Sequence, residues 1–367
     1  MLKFRTQGYN GYSLQFSPFF ENKIACATSA NFGLVGNGKL FILNTGVGPG
    51  GIDVERIYDT QDGLFDCSWS EINENQIVTA SGDGSIKLWD ITLTELPIQN
   101  WHEHSREVFS VQWNLIKKDT FVSGSWDHSI KLWAPDRPQS LTTFNVEHTN
   151  CVYNTIWSPY NSDLFGSASG DQTIKIWDVK LPHSIQTIIA HPGFEILSMD
   201  WNKYQENMII TASTDKSIKV WDLRRSDREL LCLRGHEYAV RRVKCSPHNG
   251  NIIASASYDM TMRLWDISRQ NNPLMEVYDG HTEFVLGLDF NLYIEGQIAT
   301  CAWDENIHIF QPLALSEIER DRRFFQFQQK YLNLSNSSFV LLVRMWSLVY
   351  TTYQHFGSHY IIVDIIN

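Results

Sequence analysis

Residues 123–133 read SGSWDHSIKLW, and the same phrase recurs with small changes along most of the chain. Segments ending in SIKLWD, SIKLWA, TIKIWD, SIKVWD, TMRLWD and NIHIF place Trp89, Trp133, Trp177, Trp221, Trp265 and Phe310 at intervals of 44, 44, 44, 44 and 45 residues. Short runs of Val, Ile, Thr, Phe and Trp between Gly, Asn, Asp and Ser clusters are the mark of strands and turns. A period near 44 fits one four-stranded blade of a β-propeller.

Each copy carries the same polar set. An Asp stands six residues before the aromatic position, at Asp83, Asp127, Asp171, Asp215, Asp259 and Asp304. Four residues earlier comes a hydroxyl, at Thr79, Ser123, Ser167, Thr211, Ser255 and Thr300. A His precedes the Asp by 23 or 24 residues in five copies, at His104, His148, His191, His236 and His281, whereas the second blade has Thr60. His, hydroxyl, Asp and an indole N–H can satisfy one another's buried polar atoms, which are costly to desolvate alone. A nucleophilic triad uses the same residue types, but five copies at one spacing argue for a structural chain in each blade.

The apolar positions of successive first strands are Phe16, Trp69, Trp113, Trp157, Trp201, Cys245 and Phe290, which gives seven blades. The first is degenerate, with Phe41 expected at the Trp position and Val35 at the Asp position. The last repeat supplies three strands by Phe310, so the apolar start, Leu2 to Arg5, is expected to add the missing outer strand and close the ring. The expected organisation is an all-β, seven-bladed propeller over residues 1–311 and an extension of unknown structure over 312–367.

Composition narrows the function. The 30 basic and 41 acidic residues leave a net charge of −11, a field that repels nucleic acid; it would favour a basic peptide or protein, and it would equally serve only to keep the chain in solution. Six cysteines without a CxxC pair read as reduced, packed thiols. The opening MLKFRTQGYNG has no apolar signal core and no Arg-rich amphipathic stretch, so a cytosolic home is expected. The apolar run FVLLVRMWSLVY, residues 339–350, is interrupted by Arg344 and is shorter than the ~20 residues that span a bilayer. The loop GVGPGG at 46–51 leads into the strand-like IDVERI instead of a helix, so no nucleotide site is expected there. His102-Glu103-His104 is assigned no metal, because His104 belongs to the repeated network. No cofactor is expected, and no acid, base or nucleophile breaks the repeat as an enzyme would require.

Several segments go beyond a generic WD repeat: GYSLQFSPF, NFGLVGNGKLFIL, TQDGLFDCSWSE, EHSREVFSVQWN, EILSMDWNKY, YAVRRVKCSPH and HTEFVLGLDF. With the blade motifs, they resemble the peroxin-7 family, WD-repeat receptors for the type-2 peroxisomal targeting signal, over residues 1 to about 311. The resemblance implies a cytosolic receptor that shuttles to the peroxisome. It would bind an N-terminal nonapeptide, Arg/Lys-Leu-x5-His/Gln-Leu, as an amphipathic helix. Thiolase-like matrix proteins would be its cargo, and a co-receptor and docking peroxins its partners. In that family Asp62 and Glu107 match acidic positions associated with signal binding. The residues themselves add Glu195, a third entry-loop carboxylate, and the aromatics Trp126, Tyr258, Trp303 and Phe284 at one rim. Fold alone would equally serve an adaptor subunit of a chromatin or ubiquitin-ligase complex.

Overall fold

Successive blades bury apolar strand faces against one another, and a computed structural model shows how the chain does so. It describes residues 1–46, 51–94, 96–145, 147–269 and 271–316. Pro49 of the GVGPGG loop and the apolar run at 339–350 lie outside these residues. Residues Met1–Ala314 form one compact unit.

That unit is a ring of seven four-stranded antiparallel sheets. Blades one to seven begin with the inner strands Asn10–Phe16, Leu64–Trp69, Val108–Trp113, Val152–Trp157, Ile196–Trp201, Val240–Cys245 and Val285–Phe290. Each inner strand contacts the next, and the seventh contacts the first. Every expected first-strand apolar position is the last residue of its inner strand.

The core lies between blades. Ile174 and Ile176 of blade four pack with Met199, Trp201 and Trp221 of blade five, and similar clusters join the other blades. Full burial of such side chains contributes about 1.5–3 kcal/mol each. A blade removed from the ring would expose two of these faces. All six cysteines are free thiols; Cys26, Cys67, Cys245 and Cys301 are buried, and Cys151 and Cys232 half-buried.

The ring closes as the sequence implies. Strand Leu2–Arg5 pairs antiparallel with Asn306–Phe310, with Leu2 opposite Ile309 and Arg5 opposite Asn306. Leu2 and Phe4 pack on a cluster that includes Phe41 of blade one and Ile307 of blade seven. Arg5 reaches Glu305 at 3.0 Å across the solvent face.

Blade one differs from the expectation in register. Phe16 pairs with Ile24, which pairs with Leu43, as Trp69 pairs with Ile77 and then Trp89. Leu43, not Phe41, therefore occupies the Trp position. The cause is an insertion: twelve residues separate the paired Ala27 and Leu40, against five between Ala80 and Ile86. Val35 belongs to this longer turn and has no Asp-like role.

Deleting Met1 to Thr6 removes the outer strand of blade seven and uncovers the Leu2 and Phe4 contacts. The melting temperature is expected to fall by about 5–10 °C. A thermal denaturation curve of the truncated chain checks this.

Candidate functional site

Each complete blade holds its Asp turn by one buried chain of hydrogen bonds. In blade three the Trp133 indole donates to Ser123 Oγ at 2.8 Å, and Ser123 Oγ lies 2.8 Å from His104 Nε2. His104 Nδ1 lies 2.9 Å from Asp127 Oδ2. The amide of Ser105 donates to the same carboxylate oxygen, and the Ser129 amide and hydroxyl to the other. A neutral imidazole with its proton on Nδ1 satisfies every group.

The chain recurs in His148, Ser167, Asp171 and Trp177, with links of 2.7, 2.7 and 2.8 Å. It recurs again in His191, Thr211, Asp215 and Trp221, and in His236, Ser255, Asp259 and Trp265. Blade seven has His281, Thr300 and Asp304, with Phe310 ending the strand. Blade two keeps the Trp89 to Thr79 bond, but its Thr60 hydroxyl turns to the Asp62 carbonyl and Asp83 is held by Ser85.

The carboxylates feel this arrangement. Burial alone would raise Asp127, Asp171 and Asp259, but their histidine and hydroxyl donors outweigh it and hold all three below the usual range. The same balance brings Asp215 down to about 2. Burial pushes His236 below its ordinary value despite Asp259, and burial with the neighbouring His281 and Lys3 pushes His308 down to about 4.

The clamp leaves the residue before each Asp at the rim. Its amide donates to the carbonyl of the residue just before the same blade's inner strand: Gly82 to Gly63, Trp126 to Glu107, Gly170 to Cys151, Thr214 to Glu195, Tyr258 to Ala239 and Trp303 to Phe284. Glu107 and Glu195 thus hold equivalent positions, and Asp62 stands one residue earlier. All three are half-buried.

A second rim layer was not anticipated from sequence. Every inner strand carries a β-bulge, and the residues displaced from the register are Tyr12, Phe65, Phe109, Tyr153, Leu197, Arg241 and Leu286. Five of them recur at 44-residue spacing, from Phe65 to Arg241. That spacing was the available signal. Bulges re-aim a side chain out of the alternating pattern, so strand periodicity hides them.

The bulge aromatics join the expected ones into a single arc. Tyr258 meets Phe284 at 4.9 Å between ring centroids, Phe284 meets Trp303 at 5.2 Å, and Trp303 meets Tyr12 at 5.9 Å. Tyr12 continues to Phe65 at 5.0 Å, Phe65 to Phe109 at 4.5 Å, and Phe109 to Trp126 at 4.7 Å. Arg241 is buried beneath, its guanidinium 5.5 Å from the Phe109 ring.

The carboxylates border this arc. Asp62 accepts from the Gly63 amide at 2.7 Å and lies against Gly82, where a Cβ would come within 3.1 Å of it. Glu195 accepts from the Tyr153 hydroxyl at 3.3 Å. Glu107 faces Arg106 at 3.6 Å. The channel below is nearly filled: Arg242 pairs with Asp66 at 3.2 Å beside Ser13, leaving a cavity of about 30 Å³. Pockets for cofactors or drug-sized ligands are about tenfold larger. Among the described residues no helix is long and apolar enough to cross a membrane, and no cluster of three or more His, Cys, Asp or Glu could hold a metal ion.

Parts of the chain are similar to known proteins. The family model for the WD domain, G-beta repeat matches residues 55–90 and 95–134, and that for the EIPR1 beta-propeller matches residues 137–265. The WD40 beta propeller domain of Doa1 shares the fold at a TM-score of 0.70, with 21% identity over 84% of this chain and 95% of that one. The peroxisomal targeting signal 2 receptor of Komagataella phaffii is 54% identical over 108 residues, 29% of this chain and 28% of the relative. The receptors of that name from Saccharomyces cerevisiae and Homo sapiens are 50% identical over 108 residues and 46% over 104. Over these stretches the chain is similar to these receptors. The matched stretches cover 28% of the yeast receptor and 32% of the human one, less than the residues 1 to 311 through which the resembling segments run.

The clamps, together with the buried His308 ring, make stability fall with acid. His236 and His308 titrate lower when folded than the 6.5 of a free imidazole, so the unfolded chain takes up protons first as pH drops below about 6.5. The histidine contribution is lost between about pH 6.5 and the folded values. The aspartate contribution, complete above 3.8, is lost as pH falls towards about 2 at Asp215. Urea midpoints are expected to be flat above pH 7 and to fall in these two stages, with Asp215→Asn shrinking the second.

Proposed function

We propose that this chain is a non-catalytic receptor that takes up a type-2 peroxisomal targeting signal as a short amphipathic helix across the rim. The observation that carries the reading is the division of that rim. Carboxylates stand on blades two, three and five, and a continuous aromatic arc runs through blades six, seven, one, two and three.

A helix turns about 100° and rises about 1.5 Å per residue. In the pattern Arg/Lys-Leu-x5-His/Gln-Leu, positions 1 and 8 fall on one stripe and positions 2 and 9 on another, about 100° apart, with partners about 10 Å from each other. Such a ligand presents a basic or polar stripe beside an apolar one. A rim on which carboxylates border an aromatic arc is the complementary surface. The filled channel favours a ligand laid across the mouth over one inserted into it.

On this reading Asp62, Glu107 and Glu195 receive the basic stripe, and Trp126, Tyr258, Phe284 and Trp303 the leucines. The ring, residues 1–311, is the binding unit and 312–367 an extension to it. Matrix proteins bearing the signal, thiolase-like enzymes among them, are the cargo. A co-receptor and docking peroxins complete delivery, and the receptor moves between cytosol and peroxisome. No feature of the rim favours the chromatin or ubiquitin-ligase adaptor.

Asp62→Lys and Glu107→Lys are each expected to weaken a labelled Arg-Leu-x5-His-Leu peptide by at least about tenfold, with the melting temperature held, since neither carboxylate belongs to a histidine–aspartate clamp. Fluorescence anisotropy measures the first quantity and a thermal melt the second. Undiminished affinity in both variants would overturn the assignment of these carboxylates.

A further inference from the structure

The insertion in blade one builds a feature found on no other blade. In place of a short Asp turn, residues 29–38 read SANFGLVGNG, without a single charge. Leu34 is 82% exposed and Val35 72%, and Phe32 is 47% exposed. Three apolar side chains thus stand in solvent on one loop.

The loop is held, not loose. Asn31 and Phe32 adopt φ of 49° and 58°, a region that non-glycine residues avoid, so fixed contacts must outweigh the strain. The Tyr12 hydroxyl donates to the Phe32 carbonyl at 2.6 Å, and the Phe32 amide donates to Asn10 Oδ1 at 2.8 Å. Asn31 Nδ2 bonds the Val35 carbonyl, and the Ala30 amide the Asn37 carbonyl. Gly33, at φ 72°, lies where any Cβ would strike the Tyr12 hydroxyl.

Its position ties it to the rim. The Phe32 ring lies 5.4 Å from Trp303, so the loop extends the aromatic arc outward. At its base Gly38 abuts Asp62: a Cβ there would come within 2.6 Å of the Asp62 carbonyl oxygen. An apolar tip and a carboxylate are thereby fixed on neighbouring blades.

We propose that this loop is an apolar finger that, together with the adjoining Trp303, receives the first leucine of the signal while Asp62 takes the basic residue before it. The assignment rests on the receptor reading and adds a specificity element to it. The occupant follows from continuity with the arc, from the absence of charge in the loop, and from the adjoining Asp62, which matches a ligand whose basic and apolar stripes lie side by side.

The test uses the full chain and a Leu34→Ser/Val35→Ser variant, which alters no charge. Two fluorescein-labelled peptides are compared, Arg-Leu-Gln-Ala-Ala-Gln-Ala-His-Leu and the same peptide with Ala for the first Leu. The unaltered chain is expected to bind the Ala peptide about tenfold less tightly. The variant should bind the Leu peptide about tenfold less tightly and lose nothing more with the Ala peptide. A variant that still separates the two peptides tenfold overturns the finger and leaves the receptor reading standing. Failure of the unaltered chain to bind the Leu peptide overturns both. Equal melting curves certify the fold, and Leu34→Ala/Val35→Ala provides the same comparison if the serines lower the melting temperature.

Discussion

The chain of hydrogen bonds from tryptophan indole through hydroxyl and imidazole to a half-buried carboxylate is the constraint on which this ring depends. A carboxylate withdrawn from water is tolerated only when its lone pairs are filled. At Asp127 they are filled by His104, Ser129 and two backbone amides. These donors come from the entry loop, the inner turn and, through Ser123, the strand that carries Trp133. One satisfied group therefore fixes three pieces of backbone. With the turn fixed, the residue before the Asp has nowhere to point but the rim, and its identity is free to vary.

The two blades that lack the histidine stand side by side. Blade two has Thr60 in place of the histidine, so no imidazole grips its Asp turn, and Asp62 caps the Gly63 amide instead. Blade one has neither His nor Asp, and its turn is tied by Asn10 and Tyr12. Both changes release entry-loop and turn residues from structural work. The released residues, Asp62 and the Phe32 to Val35 loop, are those that give the rim its contrast of charge and apolar surface. Loss of the repeat and gain of a distinctive surface are here the same event.

Most of the ring was legible in the sequence because repetition separates structure from chance. The 44-residue period gave the blades, the four polar positions gave the clamp, and the shortfall of one strand after Phe310 pointed to Leu2–Arg5. Reading failed where geometry departs from simple counting. The longer turn shifted blade one by two residues, so Phe41 was placed where Leu43 sits. The bulges moved Phe65, Phe109 and Tyr153 onto the rim, although each lies beside an ordinary strand position. Arg241 and Arg242 illustrate the limit. Consecutive basic residues suggest solvent, yet the bulge sends one beneath the aromatics and the other into the channel against Asp66.

The buried layers also determine what kind of recognition the rim can perform. Arg242 and Asp66 pair within the channel, and the clamps hold the turns, so the surface above is formed before a ligand arrives. A preformed surface spares the ordering cost of binding, which helps a short peptide whose own helix must form on contact. Such a peptide has few side chains to offer. Affinity must come from a few well-placed contacts, and specificity from placing the charged and apolar ones correctly relative to each other. A rim whose carboxylates and rings are fixed by separate backbone clamps sets that relative placement more firmly than flexible loops could. On the proposed receptor reading, the rigidity of the ring is part of the recognition, because a signal with the right residues on the wrong stripes meets a surface that cannot adjust to it.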